Sequence, residues 1–297
     1  MMIDIITATS LERYLDMSDT HLTAPTRFIE VDGDTFAYRR WGNTTSGQPP
    51  LFFVQHFRGG MDHWDPLLTD GLAAGREVIL YNGRGIASST GTPRNRIESM
   101  ADDIALVIQA LGLAQVDLLG FSIGGFQVQE VTLRHPQLVR KLLLLGTGLR
   151  GGDPKMEPRV LEVAPNPVPT ADDFLYLFFG RSEAAKQAGL AFWERRHQRV
   201  EQDPPSSMAV AQAQAEAHGA YLQPLPGANP YAFLNAVTQP TLVVNGVNDI
   251  MIPTINSWHL SQNIPNAQLF IYPDAGHGAQ FQYPERFLQH AIQFLGE

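Results

Sequence analysis

A serine flanked by glycines two positions before and two after it, Gly120-Phe121-Ser122-Ile123-Gly124, is the run of this chain that most directly implies chemistry. A serine hydroxyl is a weak nucleophile until a base takes its proton. The base, a histidine, in turn needs a carboxylate to hold its tautomer and steady the imidazolium. Candidates for both lie downstream. His277 sits in Asp274-Ala275-Gly276-His277-Gly278, and Asp249 closes Asn245-Gly246-Val247-Asn248-Asp249. Asp274 is nearer to His277 in the chain but reads as a turn residue ending a strand. Asp102 and Asp103 fall at a helix start, where capping accounts for them. The reading is Ser122 as nucleophile, His277 as base and Asp249 as the group that orients it.

For these side chains to meet, the elements before them must end at one edge of a sheet. Arg27–Val31 and Thr35–Trp41 read as two strands joined at Asp32-Gly33-Asp34, a hairpin signal. The period then changes to short, wholly apolar runs, as in strands buried on both faces: Leu51–Val54, Val78–Tyr81, Val116–Leu119, Leu142–Leu145, Leu242–Val244 and Leu269–Tyr272. Helix-like stretches separate them. The clearest, Ser99–Leu111, has Ile104, Val107, Ile108 and Leu111 on one face, a Ser99/Asp102 capping box and Gly112 as its stop. Ser122 follows an apolar strand and precedes a helix, so the glycines permit a sharp turn and the helix aims its positive end at a developing oxyanion.

One interval breaks the alternation. Between Gly148 and Gln239 there is no such strand, only helix-like segments near Asp172–Phe179, Ser182–Glu201 and Met208–Tyr221, which reads as a helical insertion. Before the sheet, Leu11–Leu15 suggests a short helix.

These motifs together resemble the α/β-hydrolase superfamily, in particular its cap-bearing esterase and haloperoxidase-like members, over about residues 27–297. The resemblance implies an α/β fold with a mostly parallel central sheet flanked by helices and a helical cap inserted between two strands. It divides the chain into an N-terminal extension (1–26), a core (27–148 and 239–297) and a cap (149–238). The order Ser122, Asp249, His277 is the order of that fold. Family members carry His-Gly-x after the strand Leu51–Val54, with the x amide in the oxyanion hole. Here the run is Gln55-His56-Phe57, followed by Arg58-Gly59-Gly60, so the backbone N–H groups of Phe57 and Ile123 are the expected donors. Tyr81–Ser89 resembles the family's D-x-x-G-x-G-x-S turn, with Asn82 and Ala87 as departures; it reads as structural, with Arg84 in a local salt bridge.

His56 has two readings, a substrate contact or a brace for its loop. A metal site with His63 is a weak third, because no H-E-x-x-H or similar ligand set accompanies them. Phe57, Phe121, Ile123 and Met251 adjoin catalytic positions and are expected at the substrate. The insertion carries further aromatic residues, Phe178 and Trp193 among them, each of which either walls the pocket or packs the insertion onto the core.

Of the 297 residues, 44% are hydrophobic and 17% charged, enough for one large core. The net charge of −9 supplies no basic field for nucleic acid. No cysteine is present, which excludes disulfides and thiolate chemistry. With no signal-peptide pattern at the start and no span of the length a bilayer needs, the expectation is a cytoplasmic protein without membrane attachment. Neither metal nor organic cofactor is implied, and the oligomeric state is unreadable. The expected function is a serine hydrolase cleaving an ester or lactone of a mostly apolar small molecule through an acyl-enzyme. Alternatives sharing the triad are a perhydrolase, a carbon–carbon bond hydrolase and a cofactor-free dioxygenase; from another class, a small-molecule receptor. A serine at the elbow disfavours dehalogenase and epoxide hydrolase chemistry.

Overall fold

The structure, a computed structural model, describes residues 19–166 and 168–297; the Leu11–Leu15 helix expected from the sequence lies outside the described residues. Eight strands form one sheet: β1 (Arg27–Val31), β2 (Asp34–Gly42), β3 (Leu51–Val54), β4 (Glu77–Tyr81), β5 (Val116–Phe121), β6 (Val139–Leu145), β7 (Thr241–Gly246) and β8 (Ala267–Tyr272). Their spatial order is β1-β2-β4-β3-β5-β6-β7-β8. β1 and β2 form the expected hairpin, with Asp32 and Gly33 at φ 53° and 79°, the left-handed pair a two-residue turn requires. β2 joins β4 antiparallel, and every pairing from β4 to β8 is parallel.

The apolar runs are explained by burial on both faces. Alternate residues go to opposite sides: Leu51, Phe53, Leu119, Leu143 and Val244 to one core cluster, Phe52, Val54, Leu118, Leu144 and Val243 to the other. The first cluster is closed by α1 (Pro66–Ala73) and the C-terminal helix Pro284–Gly296, the second by α2 (Ile97–Ala110) and α3 (Ile123–Arg134). Burying each of these side chains contributes roughly 1.5–3 kcal/mol before entropy is counted.

Between β6 and β7 the described residues form helices and no strand: α4 (Val160–Val163), α5 (Ala171–Phe178), α6 (Glu183–Arg196), α7 (Met208–Tyr221) and a 3-10 turn at Ala232–Ala236. Three of the four α-helices start on side-chain caps. Thr170 accepts from the Asp173 amide while Asp173 accepts from the Thr170 amide, and Ser182 and Ser207 accept from Ala185 and Val210. The chain ends with α8 (Ile255–Asn263), the one-turn α9 (Ala279–Gln282) and α10 (Pro284–Gly296).

Two local expectations are corrected. α2 starts at Ile97, with Arg96 at its N-cap and no side-chain cap bond, so the Ser99/Asp102 box does not form. Neither aspartate caps, because guanidinium groups offer charge-assisted bonds instead. Asp102 pairs with Arg134, and Asp103 takes Arg84 in a two-point contact, both at 2.9 Å. α6 stops at Arg196 rather than Glu201. Beyond it Arg199 turns to donate to the carbonyls of His21, Leu22 and Ala24, which draws the chain off the helix axis.

The wholly buried Asp117 carboxylate, near the start of β5, is held by Arg76 and in two-point contact by Arg140 (2.8 and 2.5 Å). Asp117→Ala leaves the buried Arg76 without its counter-charge. It should lower the unfolding free energy by about 3–5 kcal/mol, read as a fall in the urea midpoint.

Candidate active site

Ser122 stands at the turn between β5 and α3 with φ 59° and ψ −124°, a left-handed value that a non-glycine residue adopts at a cost. Its backbone is pinned on both sides. The amide donates to Leu145 (2.9 Å), and the carbonyl accepts from the Gly125 amide (2.8 Å) and the Thr147 hydroxyl (2.7 Å). The turn is tight enough to explain both glycines. A Cβ at Gly120 would lie 2.5 Å from the Gly124 carbonyl oxygen, and one at Gly124 would lie 2.3 Å from that of Val54.

Asp249 follows β7 and His277 follows β8, so both leave the same edge of the sheet as Ser122. Their side chains are wholly buried, and His277 Nδ1 meets Asp249 Oδ2 at 2.8 Å. The other carboxylate oxygen accepts the amides of Met251 (2.9 Å) and Ile252 (3.0 Å), so the acid cannot rotate without losing two bonds. With the proton on Nδ1, Nε2 carries a lone pair, and this buried atom has no partner among the described residues. The His277 loop is clamped from the inserted helices: the Gly278 amide donates to Phe178 (2.7 Å), and the ring packs on Phe121 and Phe178. Asp274 takes no part. It is a left-handed turn residue bonded by the Ser182 hydroxyl.

Phe57 and Ile123 meet Ser122 at the wall of one cavity. Ile123 opens α3, where backbone N–H groups lack intrahelical acceptors. The Phe57 loop is fixed by side chains. The Gln55 carboxamide accepts the His56 amide (2.8 Å), and His56 Nδ1 donates to the Phe57 carbonyl (2.8 Å). Next to it Arg58, at φ 60°, donates its amide to Gln214 (2.6 Å) and its guanidinium to the carbonyls of Pro165, Asn166 and Ser206. The departure from His-Gly-x is thus accompanied by bonds that tie this loop to the helical insertion. In the neighbouring turn Asn82 is wholly buried, accepting from Met61 and donating to Ser88 and Asp203.

Two cavities share Ser122, Phe57 and Met251. The larger, about 330 Å3, is almost wholly apolar, walled by Ile123, Met156, Val160, Leu161 and Ile252 with His218 at its side. The smaller, about 100 Å3, is lined by His277, His56, His63, Phe174 and Phe178. His56, Met251 and Phe178, three of the residues the sequence offers as substrate contacts, line the smaller cavity. Phe121 and Trp193 do not. Phe121 is fully buried behind the His277 ring, because its alternation along β5 turns it into the core. Trp193 packs on Phe174 and under the Arg196 guanidinium, one layer away from both cavities. Other aromatic residues of the insertion, such as Phe192 stacked on Phe281, also serve packing. His63, Val163, Ala164 and Arg58 line the smaller cavity without being singled out as substrate contacts by the sequence; no spacing or motif marks them.

Burial lowers the pKa of His56, and of His21 elsewhere, to about 3, and His63 well below the ordinary imidazole value, so these rings are neutral. In the unfolded chain they take up protons near pH 6.5, whereas in the native state His21 and His56 do so only near 3. The stability this neutrality allows is complete above pH 6.5 and declines as pH falls toward 3, on the order of 2 kcal/mol per histidine at pH 5. Urea midpoints at pH 7.5 and pH 5 should differ accordingly, and His56→Asn should reduce the difference.

The sheet order, the turn at Ser122 and the convergence of three strand ends define the class. The chain belongs to the α/β hydrolase fold family, whose family model matches residues 49–284, and is a hydrolase of that fold. It is similar to an α/β hydrolase fold protein from Chitinophaga pinensis, 36% identical with a TM-score of 0.86, covering 93% of this chain and 99% of that one. A 2-hydroxy-6-oxononadienedioate/2-hydroxy-6-oxononatrienedioate hydrolase of Paraburkholderia phymatum is 27% identical over 94% of this chain and 98% of its own length. The structure of an N-acyl homoserine lactone degrading enzyme, 26% identical, matches with a TM-score of 0.71 over 90% of this chain and 100% of that one. Among the described residues no helix is long and apolar enough to cross a membrane.

Proposed function

We propose that the protein cleaves an ester or lactone of a mostly apolar small molecule by acyl transfer, with Ser122 as nucleophile, His277 as general base and acid, and Asp249 as its orienting carboxylate. The observation that carries this reading is the state of His277. Nδ1 is held by Asp249 at 2.8 Å while the Nε2 lone pair, at the wall it shares with Ser122, accepts from no donor among the described residues. In this scheme His277 takes the Ser122 proton as Oγ attacks the carbonyl. The amides of Phe57 and Ile123 receive the negative oxygen, and His277 returns the proton to the leaving group before water repeats the sequence. Residues 149–238 act as a cap over a core formed by 27–148 and 239–297. The apolar 330 Å3 cavity, together with a similar lactone-degrading enzyme, supports a hydrophobic acyl or cyclic limb. A second reading, hydrolysis of a carbon–carbon bond in a vinylogous diketone by the same residues, is favoured by the name of the Paraburkholderia relative.

A fluorophosphonate probe should label the protein at Ser122, and Ser122→Ala should abolish labelling; full labelling of the variant overturns the assignment. In Asp249→Asn the Met251 and Ile252 amides retain the carboxamide oxygen, so the amide nitrogen meets His277 Nδ1 and moves the ring proton to Nε2. Turnover should fall by about 10,000-fold. Parallel panels of p-nitrophenyl esters of increasing chain length, lactones and vinylogous diketones separate the two readings. The first expects the apolar esters or lactones to be turned over fastest; a diketone preference selects the second.

A further inference from the structure

His56 and His63 have no role in the acyl-transfer scheme beyond bracing a loop, yet both line the smaller cavity beside Ser122, with ring centroids 5.3 Å apart and planes nearly perpendicular. Each neutral ring has one N–H and one lone pair, and the backbone decides which atom carries which. His56 Nδ1 donates to the Phe57 carbonyl, leaving the lone pair on Nε2. That atom, like Nε2 of His277, is buried without a partner among the described residues. His63 Nδ1 accepts the Gly60 amide at 3.1 Å, which places its proton on Nε2. One wall therefore carries an acceptor and a donor with fixed tautomers.

We propose that this pair recognises a hydroxyl group of the substrate, which accepts a hydrogen bond from His63 Nε2–H and donates one to His56 Nε2. The proposal deepens the acyl-transfer reading of Ser122 and rests on it. The chemistry excludes close competitors. A methyl group leaves the buried His56 lone pair unpaired. An ammonium cannot accept from His63 and meets the positive fields of Arg58 and Arg196. A carboxylate sets its charge against the His56 lone pair; Arg58 spends its Nη donors on three carbonyls, and Arg196, whose Nε and Nη1 are buried without a partner among the described residues, sits against the faces of Phe174 and Trp193 and is not part of the cavity lining. A cavity of about 100 Å3 holds only a few heavy atoms, so the hydroxyl lies within a few bonds of the reacting carbonyl.

The p-nitrophenyl esters of β-hydroxybutyrate, isovalerate and methylsuccinate carry a hydroxyl, a methyl or a carboxylate on the same carbon. Acetate esters of matching alcohols place those groups in the leaving half. In one of the two halves the hydroxyl compound should exceed the methyl compound in kcat/KM by about tenfold or more. The advantage should collapse to near unity in His63→Phe and be partly kept in His63→Gln, which retains an N–H donor. Circular dichroism and fluorophosphonate labelling of each variant confirm that fold and nucleophile are intact. Equal rates for hydroxyl and methyl compounds in both halves, a carboxylate preference, or an undiminished ratio in His63→Phe overturns the proposal and leaves the Ser122 reading standing. If Ser122 takes no label, that reading fails first. The pair is then tested by binding alone. The 15N imidazole signals of His56 and His63 should shift on adding β-hydroxybutyramide and not isovaleramide; equal response to both overturns it.

Discussion

The contact on which the rest of the site depends is between bare backbones. Gly124, in the first turn of α3, lies so close to the carbonyls of Val54 and Gln55 that no Cβ fits between them. The strained turn at Ser122 is thereby pressed against the strand end that leads into Phe57. The separation between the serine and the Phe57 loop is set by atoms that have no rotamers. β5 and β3 are neighbours in the sheet, paired in register from Leu51 to Val54, so the central hydrogen-bond ladder carries this spacing into the core. The strain at Ser122 is offset by three hydrogen bonds to its backbone and the apolar burial around them.

Much of this was legible in the residues. The strands announced themselves because burial on both faces leaves uninterrupted apolar runs, and the glycines around Ser122 mark a turn that larger side chains cannot make. The Met208–Tyr221 helix and the Gly112 stop were equally plain, the latter at φ 72° in the structure. Other features depend on partners remote in the chain. Nothing near Ser99 shows that Arg84 and Arg134 claim Asp103 and Asp102. Nothing near Glu201 shows that Arg199 reaches the carbonyls of His21, Leu22 and Ala24. Phe121 adjoins Ser122 in sequence, but strand alternation turns it away, whereas His63 enters the cavity from a segment with no marking motif.

The electrostatic character of the cavity also comes from position rather than composition. His277, paired with a carboxylate, is set apart from His56 and His63, whose polar partners among the described residues are backbone groups and whose burial keeps them uncharged. One catalytic arrangement serves many substrates on this fold, so the difference between family members lies in such walls. Here one wall is apolar and the other holds a donor and an acceptor.

Arg58, the residue following Phe57, is bonded to Gln214, Pro165, Asn166 and Ser206, which lie in or beside α4 and α7. A swing of those helices away from the sheet must therefore break these bonds or drag the Phe57 peptide with it. If the Phe57 amide receives the oxyanion, as proposed, such a swing would admit a ligand and displace that amide in one mechanical event. A carbonyl that entered with the helices apart would then find Ser122 without its Phe57 donor.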